Sequence, residues 1–362
     1  MKYLVGLLFI ILAVVFFKYG TVQKNRKLVT VNNALKIPCE VEFLNVKQGS
    51  IAILDETYEP YFSKLQIREI YTLTGQLPPS SNINKARSFA RNKFSSAVTT
   101  FNEKEKAAIL FVTSTIKKIL KTNKLDLIAK HPWKFIKIED WLCGGYAHTR
   151  GNYIILSQRH LTHLTTNWSN NMSKKDSLSV IKKLGSLLVH EQFHSLQRQY
   201  PDIFKSLYVD SWGFEKINVE IDSDSTILIN QLTNPDAPKS EWGINYNDTY
   251  YWIRTLIRTN AKKPQMGKDF TDVVFTLEKK NNNFTVQKDS LNNLVKQKLS
   301  DFTPYLNSFP VSQGMDHPNE ISAYMFSKYF LAILDGEIPF ENAPKKAQLF
   351  SQEYLSWLNK YF

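Results

Sequence analysis

Apolar residues come first as a block and then as periodic patterns. Tyr3 to Phe17 is an unbroken apolar run preceded only by Met1-Lys2. It falls short of the about 20 residues a spanning helix needs and has the length of a signal-peptide core. No small-x-small cleavage pattern surrounds Lys18-Tyr19-Gly20. Residues 1–20 are therefore expected to be an uncleaved signal anchor, with a cleaved signal peptide as the alternative. Residues 21–38 read as a basic tether. From Cys39 to Asp55, Val41, Phe43, Val46 and Ile51 to Leu54 suggest strands. Tyr61 to Leu73 predicts a helix stopped near Gly75 and Pro78-Pro79, and Phe89 to Phe101 reads as a basic, polar approach. Asn102 caps a helix over Glu103 to about Leu120, with Glu105 in capping-box position. Trp133 to Ile138 predicts a strand. A second, Tyr153 to Leu156, follows the turn at Gly144-Gly145 and is the candidate edge strand. Later, Val273 to Leu277 and Phe284 to Val286 flank a polar tip at Lys279 to Asn283, a hairpin that would be a lid or an ornament. Ser290 to Leu299 and Ala347 to Phe362 read as helices. The pattern is α+β: a small mixed sheet and a long helix up to about residue 200, then a mostly helical part with a hairpin insertion over 201–362.

That long helix carries the chemistry. Ile181, Leu184, Leu187 and Leu188 recur at helical spacing after an N-cap at Asp176 or Ser177, and Pro201 ends the run by restricting Tyr200. Gly185 allows close approach of another element. The stripe continues into His190-Glu191-Gln192-Phe193-His194, the HExxH pattern. Four residues apart on one face, the two histidines converge on a single ion, and the glutamate between them can take a proton from metal-bound water. Random order of this composition yields the pattern in fewer than about one chain in a hundred. As ordinary core residues the same five would bury an unpaired Glu, which is costly.

A catalytic zinc site needs a third protein donor and an open position. The extension HExxHxxGxxH fails, because Gln197 and Tyr200 stand where glycine and histidine belong. The third donor must come from elsewhere. Glu320 is the best candidate, in the first turn of a helix opened by Pro318 and given an apolar face by Ile321, Met325 and Phe326. Its ordinary role would be a surface residue favoured by the helix dipole. His317 is the next choice, followed by Glu215, Glu220 and Asp236. Three tyrosines between the metal segments, Tyr246, Tyr250 and Tyr251, are weak candidates to steady an oxyanion, since aromatic clusters are usually core. His148 and Arg150 could face the cleft, though a lone histidine is more often structural.

His190, Glu191, His194 and the later Asn319-Glu320 resemble the gluzincin branch of the zincin metallopeptidases. The resemblance implies zinc held by His190, His194 and Glu320, with Glu191 as general base. It also implies a zincin-like fold, in which an edge strand beside the active-site helix pairs with an extended peptide. The expected protein is a membrane-tethered, zinc-dependent metallopeptidase acting on peptides or proteins, its catalytic part extracytoplasmic. The alternative is a non-catalytic cell-envelope scaffold in which a metal is structural or absent.

Composition narrows the partners. The net charge is +13, from 37 Lys and 9 Arg against 33 acidic residues, and the basic residues are scattered. Nucleic-acid binders favour clustered, Arg-containing stripes, so nucleic acid is not expected as a partner, whereas an anionic membrane face suits the tether. Lys182, Lys183, Gln197 and Arg198 around the motif argue against a site within a bilayer. Cys39 and Cys143 are the only cysteines; they would pair only in an oxidising compartment and lack the spacing of a metal knuckle.

Overall fold

The computed structural model describes residues 41–362 apart from 167, 170, 223–224, 240, 310 and 337–344. The expected anchor, the tether and Cys39 lie outside the described residues. Among those described, no helix is long and apolar enough to cross a membrane.

The chain is mixed α/β, built on two sheets. The first half runs β1 (Val41–Phe43), α1 (Val46–Ala52), α2 (Ile67–Thr74), α3 (Ile83–Ser96), β2 (Val98–Thr99), α4 (Glu103–Thr122), α5 (Asp126–Lys130), β3 (Trp133–Ile138), β4 (His148–Arg150), β5 (Tyr153–Ser157), α6 (Gln158–Thr166) and α7 (Lys174–Gln199). The second half runs α8 (Pro201–Lys205), β6 (Phe214–Lys216), β7 (Val219–Glu220), α9 (Thr226–Asn230), β8 (Trp242–Tyr246), β9 (Thr249–Ile257), β10 (Phe270–Lys280), β11 (Asn283–Val286), β12 (Lys296–Lys298), α10 (Thr303–Leu306), α11 (Pro318–Asp335) and α12 (Lys345–Tyr361).

In the first sheet β1, β3 and β5 are parallel, β4 runs antiparallel along β5, and β2 pairs with the end of β3. The buried strand β5 is therefore internal, and the edge belongs to β4, which starts at His148 rather than at Tyr153. The second sheet has the order β6-β8-β9-β10-β11-β7, with β12 on β10. This sheet corrects the expectation of a mostly helical 201–362. Apart from the two-residue turns of β8–β9 and β10–β11, its strands pair across long intervening segments, and the run Thr249 to Ile257 is rich in aromatic and β-branched residues that suit a sheet. Ser290 to Leu299 is likewise not a helix but a loop leading into β12. The hairpin at Asn281-Asn282 exists, as β10–β11. However, Phe270 at the other end of β10 lines the central cavity, and the tip is ten residues on, roughly 33 Å at about 3.3 Å per residue. It cannot close the cleft.

Two further expectations change. Val46 to Ala52 is a helix, because Asn45 and Gln48 form a reciprocal capping box that starts one. The polar approach before Phe101 is α3, capped by Asn82 and anchored by a narrow stripe of Ala86, Ala90 and Phe94. By contrast, α4 with its Asn102–Glu105 box, β3 and α12 form as expected. The helix over Tyr61 to Leu73 begins later, at Ile67, and ends at Gly75, whose φ of 67° accepts the left-handed cap.

Helix α7 is the axis of the larger core. Ser173, rather than Asp176, caps it. Every residue from Leu188 to Arg198 is buried, so its second half is enclosed on all faces. Phe193 stacks on Phe326 of α11 at 4.7 Å and meets Phe204 edge-on at 5.1 Å. Gly185 admits α11 through a side chain: a Cβ there would sit 3.1 Å from the Phe330 ring. Ser327 also donates to the Ser186 carbonyl at 2.6 Å, so α7 and α11 are held together beside the HExxH turn.

Candidate metal centre

Burying His190, Glu191, Gln192, His194, Ser195, Gln197 and Arg198 in one helix requires a partner for each polar group. Some are plainly structural. Gln192 donates to the carbonyls of His131 and Pro132, Ser195 meets His131 Nε2 at 2.8 Å, and Arg198 pairs with Glu59 at 2.8 Å. The rest converge. His190 Nε2 and His194 Nε2 lie 3.1 Å apart, Glu320 Oε2 is 3.4 Å from His190 Nε2, and Glu320 Oε1 is 3.6 Å from His194 Nε2. A tetrahedral site with bonds of about 2.0–2.1 Å has edges of about 3.3 Å, so the two ring nitrogens and the carboxylate are close enough together to hold one ion. His190 Nδ1 is buried with no hydrogen-bond partner. The two histidines, the carboxylate and their spacing fit zinc.

Neighbouring groups fix the donors. Gln197 Nε2 donates to the Asn319 carbonyl at 2.8 Å and to Ser322 Oγ at 2.9 Å, so its oxygen must face His194. His194 Nδ1 therefore donates to Gln197 Oε1 at 2.8 Å, and Nε2 is left with a free lone pair. The residue that breaks the HExxHxxGxxH extension thus sets the histidine tautomer. Asn234 donates to Glu320 Oε1 at 2.7 Å. Tyr324 lies against the His190 ring at 4.4 Å. Replacing Gln197 by Ala should weaken metal affinity about 10–100-fold with little change of fold, measured by zinc competition with a chromophoric chelator.

Glu191 is held beside this group by β4. Thr149 Oγ1 lies 2.8 Å from Glu191 Oε2 and 3.0 Å from the Glu191 carbonyl, and the Thr149 N–H donates to Asp236 Oδ1 at 2.5 Å. Arg198 in turn holds the loop of Asp236 through the Pro235 and Asp236 carbonyls.

Burial pushes the Glu191 carboxyl up to about 8, against the Thr149 hydrogen bond and with help from the Glu320 charge. Asp236 is driven well above its ordinary range by burial, with Glu191 and Glu320 adding to it. Burial lowers His194 to about 3, so at neutral pH it is neutral, the form that ligates. Burial alone would raise Glu320, but His194 and His190 reverse this and hold it ionised at neutral pH.

These shifts give the metal-free protein a pH dependence. Glu69 is raised by burial to about 7 and Glu191 to about 8. Raised carboxyls stabilise the fold below the unfolded value, near 4.3, and lose that contribution as pH climbs through 7 to 8. His131, His148 and His317, depressed by burial to about 4, act oppositely: their contribution is complete above about 6.5 and is lost as pH falls to 4. The melting temperature in chelator should therefore fall between pH 6.5 and 8.5, and fall less in Glu191→Gln, by scanning fluorimetry.

The group opens into a cavity of about 560 Å³ between the two halves. Tyr146, Ala147 and His148 line it, together with the loop from Leu232 to Asp236 and with Met266, Phe270, Asp272 and Asp316. The loop joining β9 to β10 closes over the first half, where Met266 and Gly267 press on Gly144 and Tyr146 so tightly that neither glycine has room for a Cβ. A neighbouring groove of about 490 Å³ between α6 and α7 shares His160 and Leu187 with it.

Of the residues singled out from sequence, His190, His194 and Glu320 come together as a group able to hold a metal, and Glu191 and Asp236 line the same cavity. His317 instead caps α11, accepting from the Asn319 N–H and meeting the Lys239 carbonyl at 2.8 Å. Glu215 and Glu220 are exposed on the second sheet. Tyr246 and Tyr251 pack on Phe302, and Tyr250 packs on Phe284. Arg150 is buried under Tyr61 and bonded to the Asp55 carbonyl, while His148 does line the cavity. Sequence reasoning missed Thr149, Gln197 and Asn234, whose roles depend on which segment folds against which. No known protein family, curated protein or solved structure matches the chain.

Proposed function

We propose that the chain is a zinc-dependent metallopeptidase of the zincin type, with Glu191 as general base, tethered to a membrane by residues 1–20 with its folded part extracytoplasmic. The observation that carries the reading is a buried carboxylate, Glu191, fixed by Thr149 beside three convergent donors at the floor of an open cleft. Zinc held by His190, His194 and Glu320 supplies a Lewis acid and acidifies water. Glu191 takes a proton from water in the cleft and returns it to the leaving amine. Burial makes its carboxylate more basic than one in water, which suits transfer near neutral pH. Thr149 keeps it aimed. The cleft wall at Tyr146 to His148 offers an extended peptide a line past the donors, while the outer Thr149 N–H of β4 is taken by Asp236. The membrane attachment rests on the apolar run Tyr3 to Phe17 alone.

The competing reading is a scaffold with a structural metal. Such sites are closed by four protein ligands, whereas the group here offers three, and two of them, His190 and Glu320, line the cavity. The full-length chain should contain one zinc, cleave members of a peptide library read by mass spectrometry, lose cleavage in chelator and regain it with zinc. A full complement of zinc with no cleavage of any peptide would favour the scaffold.

A further inference from the structure

The cleft is lined by acidic residues although the chain as a whole is basic. Of 362 residues, 46 are Lys or Arg, giving +13. Yet among the described residues none that lines the cavity is Lys or Arg, while Glu191, Asp236, Asp272, Asp316 and Glu320 all do. Three of these are already engaged. Glu320 is a donor of the metal group, Glu191 is bonded to Thr149, and Asp236 accepts from the Thr149 backbone. Asp272 and Asp316 remain. Asp272 accepts one hydrogen bond, from Thr255 Oγ1 at 2.6 Å. It lies close enough to Asp316 that, added to burial, its charge helps raise the Asp316 carboxyl to about 7. The Arg254 guanidinium behind them is shared with the buried Glu69 and lies over Trp252 at 5.1 Å. Two carboxylates repelling each other across a desolvated wall are stabilised by a cation between them.

A second lining residue also asks for a donor. His148 is 2% exposed, and its Nδ1 donates to the Tyr146 carbonyl at 3.1 Å. Its Nε2 is therefore an acceptor, and it is buried without a partner. Burial keeps the ring neutral, so the group offers a lone pair and no charge to repel a cation. Asp272, Asp316 and His148 thus offer acceptors to the cavity, and none of the described residues lining it is Lys or Arg.

Resting on the peptidase reading for its setting, we propose that the substrate is a cationic peptide, which places an ammonium or guanidinium group against Asp272 and Asp316 and gives a further N–H to His148. The cation comes from a Lys or Arg side chain or from a free N-terminal amine. The two sources share this chemistry and are separated by blocking the terminus.

The test is binding rather than turnover, in the zinc-loaded full-length Glu191→Gln variant, by fluorescence anisotropy. The probes are labelled heptapeptides of otherwise identical sequence with Lys, norleucine or Glu at one central position, each with an acetylated or a free amino terminus. The Lys peptide, or the free-amine peptide if the terminus is the source, should bind about ten-fold or more tighter than its neutral counterpart. The double substitution Asp272→Asn with Asp316→Asn should erase that difference while zinc content is unchanged. Equal affinities across the set would overturn the proposal, as would a preference that survives the double substitution. Because hydrolysis is not the readout, a wild type that keeps the preference but cleaves nothing would dismiss the peptidase reading and leave the cationic ligand standing.

Discussion

Glu191→Gln should lower kcat/KM on a cleaved peptide by about 10³-fold while zinc content stays at one per chain, the scale of a lost general base. Glutamine keeps the volume of the side chain, and its carbonyl can still accept from Thr149. It also removes a buried carboxylate raised to about 8 by burial, so the metal-free variant should be no less stable than wild type at pH 8. The two readings together separate a base from a merely structural residue. A structural glutamate would lose stability with activity; a base loses activity alone. Retained hydrolysis in Glu191→Gln would remove the assignment. The measurement is steady-state kinetics paired with elemental analysis of the same preparation.

Glu320→Ala should do the reverse and empty the site. Two histidines on one helix face bind zinc far more weakly than three donors on two elements, and removing the carboxylate also leaves the Asn234 amide without its acceptor. Zinc after dialysis should drop from one per chain to under about a tenth, with activity falling in step. His317→Ala should leave zinc in place, because that ring is spent on the Asn319 N–H and the Lys239 carbonyl. Zinc retained in Glu320→Ala would mean that a different carboxylate of the cavity, Asp236 or Glu191, completes the site.

Local signals in the sequence were legible where the structure they specify is also local. The helix bearing HExxH, the boxed helix α4 and the strand β3 follow from caps and periodicity, and Glu320 stood out because a carboxylate in the first turn of an apolar helix asks for a partner. The second sheet was largely hidden. Its strands pair across loops, β12 is wholly exposed, and β9 reads as an aromatic cluster until β10 is laid against it. The narrow stripe of α3 uses two alanines, which carry little hydrophobic signal. In the site, the donors were legible by type and spacing, while the groups that aim them were not. Thr149 acquires its role when β4 crosses α7. Gln197 was read only as the residue that broke a longer motif, and its amide becomes informative once Asn319 and Ser322 fix which end faces His194.

The donors sit on two helices far apart in the chain, Lys174–Gln199 and Pro318–Asp335, with the entire second sheet between them in sequence. During synthesis the HExxH helix leaves the ribosome long before Glu320 exists. The nascent chain can therefore hold an ion only loosely until α11 has been made and has docked on Gly185 and Ser186. On the proposed reading, tight metal uptake would come at the end of assembly. A chain stalled or clipped between residues 195 and 319 would carry the whole motif but only two of the three donors.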